Sequence, residues 1–165
     1  MTPQPRPLPR AALRQLRQRV EARDAADRRA IDVALFRLVS DQPVRLTDEH
    51  ETCVCRRCGL RLKGAHWVIE GGAAGAAGCG GLAGRAVVPF YLTCAEDAFA
   101  WTCQAGLSDQ ALSLELLDFE SSLWEAQLTR PGEPAACGRS SEMGEALILA
   151  ALTALIRAEA ETMAG

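Results

Sequence analysis

The sequence predicts an α+β fold, mostly helical, in which a small cysteine-knuckle and β-hairpin element packs on amphipathic helices. Three observations predict it. Apolar residues recur at helical spacing near both ends of the chain. Between them, Cys53, Cys55 and Cys58 cluster. The β-branched and aromatic residues gather from 65 to 92, in "HWVIE" and "RAVVPFYLT".

Residues 1–10, "MTPQPRPLPR", alternate with proline and predict a disordered tail, leaving 11–165 as a single domain. In the helical stretch 11–40, Leu13, Leu16 and Val20 form one stripe. Ile31, Leu35 and Leu38 form a second, behind Asp24 or Asp27 as caps. Residues 50–106 form the metal-binding element. It contains a flexible Gly/Ala loop, 71–84, and the strand "RAVVPFYLT", which Pro89 restricts to a sheet edge or a bulge. A helix then starts near Thr93 and stops at Gly106. Residues 107–165 read as helical. Ser108 caps "SDQALSLELLDFESSLWEAQL", with Leu112, Leu116, Phe119 and Leu123 along one side, and Ser141 starts a last helix to about Ala160.

Hydrophobic content of 48% and charged content of 24% exclude a disordered polyelectrolyte and fit an ordinary globular chain. The longest apolar run, "ALILAALTALI" at 146–156, is about half of a bilayer span and predicts a buried helix. The polar, Arg-rich start has no signal-peptide core, so the chain is expected inside a cell and not secreted. Its acid-free amphipathic character is shared with mitochondrial presequences, but serine is scarce. Basic residues are 17 Arg and one Lys, which, with abundant Ala, Gly and Pro, indicates a GC-rich genome. Residues 1–63 carry 14 basic and 8 acidic side chains, and 108–165 carry 3 and 10, so a basic and an acidic face are expected.

Seven cysteines, an odd number at uneven spacing, point to metal binding and away from disulfides. In "CVCRRCG", Cys55 and Cys58 followed by Gly59 have knuckle spacing. A tight turn aims backbone N–H groups at both thiolates, and glycine lets the chain leave without a Cβ clash. Tetrahedral zinc needs two more ligands. Cys94, in the first turn of the next helix, completes a treble-clef-like order of knuckle, hairpin and helix. The residue three beyond it is Asp97, where such helices usually place a second cysteine. Asp97, Cys53, His50 and His66 therefore stand open as the fourth ligand. A structural zinc contributes on the order of 10 kcal/mol to folding. Cys103 and Cys137 read as small buried hydrophobes. Thiol redox chemistry at Cys55 and Cys58 is disfavoured, because "CRRCGLRLKG" is not helix-like.

The segment "LTCAEDAF", residues 92–99, carries two meanings. Thr93 and Glu96 have the spacing of a capping box, with Cys94 as the first helical residue. Leu92, Cys94 and Glu96 also fit the pattern LxCxE, with Phe99 as the hydrophobic residue that follows. Over these residues the chain resembles the viral retinoblastoma-binding proteins, among them the adenoviral early transforming protein, the papillomavirus transforming protein and polyomavirus large T antigen. The resemblance implies a non-enzymatic host-modulating factor in the cytoplasm or nucleus of a host cell. A large DNA virus with a GC-rich genome, such as a parapoxvirus, suits it. It also implies that Leu92 and Cys94 enter an apolar groove of the retinoblastoma pocket while Glu96 bonds backbone amides, which requires an extended segment. The family usually has an acidic residue before the leucine, where this chain has Tyr91. A zinc-bound Cys94 and a groove-bound Cys94 exclude each other.

A second expectation comes from the basic residues of the knuckle. Arg56, Arg57, Arg61 and Lys63 would contact phosphates in a zinc-finger nucleic-acid-binding factor, against a net charge of -3. Catalytic machinery is not visible. "GCGGLA" at 78–83 fits a dinucleotide-binding pattern, but no helix follows it. Ser121 and Ser122 have no base implied nearby, and the sequence predicts no enzyme.

Overall fold

The structure is a computed structural model that describes residues 9–22, 27–47, 53–54, 61–62, 65–70, 81–82 and 85–162. Among these residues, four helices, two antiparallel sheets and a short two-stranded ladder make an α+β fold. About half of the described residues are helical, fewer than the sequence led us to expect.

Helix α1 (Arg10–Ala22) buries Leu13, Leu16 and Val20, the stripe read from the sequence. Helix α2 (Arg28–Val39) buries Ile31, Leu35 and Phe36, and with them Asp32. Asp27 is its N-cap residue but makes no side-chain cap bond, because both carboxylate oxygens accept from Arg19 at 2.9 and 2.7 Å.

Six short strands follow: β1 (Val44–Leu46), β2 (Cys53–Val54), β3 (Arg61–Leu62), β4 (Trp67–Ile69), β5 (Gly81–Leu82) and β6 (Arg85–Val87). Four of them form an antiparallel sheet in the order β1-β4-β6-β5, while β2 pairs with β3 alone. "RAVVPFYLT" is strand only in its first part. After Val88 bonds the Trp67 carbonyl at 2.9 Å, Pro89 offers no N–H and the ladder ends. The chain turns and enters α3 (Ala95–Thr102), which widens into one π-helical turn, Cys103–Leu107. Gly106 has a φ of +89° there, a conformation glycine adopts without a Cβ penalty, and the helical run stops close to the predicted residue.

Residues 107–165 are not helical throughout, which corrects the sequence reading. They begin as a three-stranded antiparallel sheet, β7 (Ala111–Asp118), β8 (Leu123–Thr129) and β9 (Ala136–Ser140), and only α4 (Met143–Thr162) is helix. The Leu112–Leu116 spacing of four residues satisfies a helix and a strand equally. Leu114 between them adds the alternation that only a strand uses. The tip then breaks any helix. Asp118 accepts from the Glu120 N–H at 3.0 Å and the Ser121 hydroxyl at 2.6 Å, and Ser122 takes a φ of 51°. Phe119, which the helical reading sets along one side with Leu112, Leu116 and Leu123, is 85% exposed.

Helix α4 lies across β8 and β9 and against α1 and α3. Every residue from Ala146 to Leu152 is buried, so "ALILAALTALI" is the centre of the core, as predicted. Gly138 in β9 permits this approach, since a Cβ there would collide with the Ala146 carbonyl oxygen and the Ala150 nitrogen. Among the described residues no helix is long and apolar enough to cross a membrane.

Candidate functional site

The segment 88–97 leaves the small sheet, turns at 91–93 and enters α3, and side chains of α2 hold its backbone. The Arg29 guanidinium donates to the carbonyls of Val88 at 2.8 Å and Pro89 at 3.0 Å. It also stacks 3.9 Å from the centre of the Phe90 ring and pairs with Asp32 at 2.6 Å. Asp32 Oδ1 accepts from the Leu92 N–H at 3.2 Å. From the other side, Asp97 Oδ2 accepts from the Phe90 N–H at 2.9 Å. The Phe90 carbonyl accepts from Thr93 and Cys94 at 3.2 and 2.8 Å, closing the turn. Gly144, near the start of α4, lies against it, and a Cβ there would stand 2.5 Å from the Tyr91 carbonyl oxygen.

Asp32 and Asp97 are both buried. Burial pushes the Asp32 carboxyl up to about 6, against the pull of Arg29 and of the Leu92 and Tyr91 backbone. Burial, and then the charges of Asp97 and Asp32, raise the Tyr91 hydroxyl above its ordinary value, so Tyr91 is neutral. Beside the turn lies a cavity of about 500 Å³ lined by Phe36, Val39, Ile69, Tyr91, Asp97 and Ala100 among others.

The structure separates the motif residues by depth. Leu92 is 1% exposed, Cys94 is half-buried, Glu96 is exposed and Phe99 is 50% exposed. The capping box does not form. Cys94, and not Thr93, is the N-cap residue of α3, and its own side chain makes no capping bond. The Thr93 N–H is already bonded within the turn, so the helix begins one residue later than predicted. Asp97 reaches back to the Phe90 N–H. The extended form that the resemblance implies is not the form this segment holds, because Leu92 faces the core and the chain is helical from Ala95.

Among the described residues no three His, Cys, Asp or Glu side chains converge as a metal site. Asp97, one of the open fourth ligands, is buried beneath the turn, where its Oδ2 accepts from the Phe90 N–H. His66 precedes β4. Its N–H donates to Thr47 Oγ1 at 2.8 Å, and its buried Nε2 has no hydrogen-bond partner among the described residues. Cys53 and Arg61 are described through their backbones alone, in the pairs Cys53↔Leu62 and Val54↔Arg61. Cys55, Cys58, His50, Arg56, Arg57 and Lys63 lie outside the described residues, as does most of the 71–84 loop. Cys103 is half-buried, and Cys137 is exposed, not a core residue as predicted.

The sequence reading missed Arg29 and Asp32. A signal was present: Asp32 interrupts the apolar stripe of α2, and an acid on a buried face needs a partner. No known protein family, curated protein or solved structure matches this chain.

Proposed function

We propose that this chain is a non-enzymatic, zinc-stabilised protein-interaction factor of viral origin. In this reading it engages a retinoblastoma-type pocket domain inside a host cell through Leu92, Cys94, Glu96 and Phe99. The observation that supports this most is the way the motif straddles the surface. Glu96 and Phe99 are exposed three residues apart on α3, where side chains are neighbours, and only Leu92 is sealed in the core. Recognition then requires the turn to open and the first turn of α3 to unwind.

Uncovering Leu92 costs about 2–3 kcal/mol, and the binding-competent fraction falls accordingly. The bonds from Arg29, Asp32 and Asp97 add to that cost, so the intact protein should bind at least roughly 30-fold more weakly than the bare segment. Zinc belongs, in this reading, to Cys53, Cys55 and Cys58. His66 is the fourth ligand, supported by its buried Nε2 without a partner among the described residues. Cys94 then remains available to the groove.

Calorimetric titration of the pocket domain, with the full chain and with a synthetic peptide of residues 88–101, tests the reading. Both should be displaced by a known LxCxE peptide, and the free segment should bind more tightly. Glu96→Ala should remove binding from both while leaving Tm nearly unchanged. Absence of binding by the peptide would end the reading. Binding by the peptide alone would mean that the turn stays closed in the intact protein.

A further inference from the structure

Strand β7 is the outer strand of its sheet. β8 bonds one of its edges, and no described strand bonds the other. Helix α4 covers the inner face of β8 and β9, where Ala126 and Leu128 are buried. On that same face Leu112 lies opposite Leu128, Leu114 opposite Ala126 and Leu116 opposite Trp124. Beyond the helix this face is only partly covered: Leu114 packs against the core, Leu112 and Leu116 are 36% and 39% exposed, and past a register shift Leu117 and Phe119 are exposed toward the tip. An apolar edge strand of eight residues is an open template for pairing, and folded proteins normally cover or block such edges.

We infer that this edge pairs with β7 of a second copy of the chain, in a two-fold dimer with one continuous sheet of six strands, three from each copy. The sequence of the strand selects this occupant. Antiparallel pairing about an axis at Leu114 sets Leu112 opposite Leu116 of the second copy and Leu114 opposite its equivalent. The apolar pairs share the inner face, and on the outer face Glu115 meets Ser113, an acid against a hydroxyl. An axis at Glu115 would oppose acid to acid. An axis at Leu116 would set Leu114 against Asp118, and one at Ser113 would set Leu116 against Gln110. The Leu114 register alone satisfies both faces. A dimer consumes both β7 edges, so this pairing closes at two copies. It involves no residue of the 92–99 motif.

Sedimentation equilibrium of the full chain over a wide concentration range reads the assembly directly, and Ser113 provides the control of register. Ser113 is exposed, so replacing it should leave the circular dichroism spectrum unchanged, and Tm unchanged at concentrations where the chain is monomeric. Ser113→Glu places like charges opposite each other at both symmetry-related positions and should weaken the dimer about tenfold. Ser113→Lys places opposite charges there and should strengthen it by about the same factor. A mass that stays monomeric at every concentration overturns the proposal and leaves the edge to a partner of other sequence. A dimer indifferent to both substitutions also overturns it, because its interface would lie elsewhere.

Discussion

Two surface segments of this chain, the turn at 88–97 and the hairpin at 111–129, are held in opposite ways. The turn draws its apolar residues, Tyr91 and Leu92, into the core, and it is fixed there by Arg29, Asp32 and Asp97. The hairpin leaves Leu116, Leu117 and Phe119 outside and is fixed by its own ladder and by Asp118 at the tip. Each segment carries residues suited to recognition, yet only the hairpin presents its apolar side chains directly. A local pattern states which side chains a segment owns. Groups distant in sequence, such as Asp32 for Leu92, decide which of them face outward.

The contrast can be broken most forcefully at Asp32. Asp32→Ala removes the acceptor of the Leu92 N–H and leaves Arg29 without its carboxylate, for an expected loss of about 4 kcal/mol in equilibrium denaturation. A loss below about 1 kcal/mol would show that the turn holds itself, since that is within the range of an ordinary hydrogen bond. Leu92→Ala should cost about 3 kcal/mol by leaving a cavity in the core.

The pH dependence of stability sharpens the same comparison. The Asp32 carboxyl titrates at about 6 in the folded chain and near 3.8 in its absence. The folded state therefore binds the proton more tightly between those values. Its contribution is fully present below about pH 4 and is lost as pH rises through about 6, with a ceiling of about 3 kcal/mol. Denaturation profiles of the wild type and Asp32→Asn should diverge across this window, and parallel profiles would show that this group does not titrate there. At the back of the turn, Gly144→Ala should cost about 2 kcal/mol, because its Cβ would press on the Tyr91 carbonyl. The smallest effect is expected in the hairpin. Phe119→Ser should change stability by less than about 0.5 kcal/mol.

What was legible in the sequence followed from single-period patterns. The stripe Leu13, Leu16 and Val20 read as one face of a helix and the run 146–156 as a core helix, and the structure buries the stripe and the centre of the run. Residues 111–129 were misread because leucines four apart satisfy two periods, and the deciding bend at 119–122 lies in side-chain bonds from Asp118. At the candidate site, the residues of the motif were legible but their depth was not. Thr93 and Glu96 had the spacing of a cap, yet the turn bonds to Phe90 took Thr93 out of the helix. Depth depended on Arg29 and Asp32, whose partners lie about sixty residues along the chain.

Trp101 gives the closed turn an optical consequence. Its ring is fully buried, its Nε1 donates to the Leu35 carbonyl at 2.8 Å, and the edge of Tyr91 meets it at 6.5 Å between centroids. Trp67 and Trp124, the other two indoles, are half-buried and belong to the sheets. Opening of the turn withdraws Tyr91 and admits water to Trp101, so its emission shifts to the red while the other two keep their surroundings. A chain in which Trp67 and Trp124 are replaced by phenylalanine would therefore report the conformation of residues 88–97 through its own fluorescence, with no attached label.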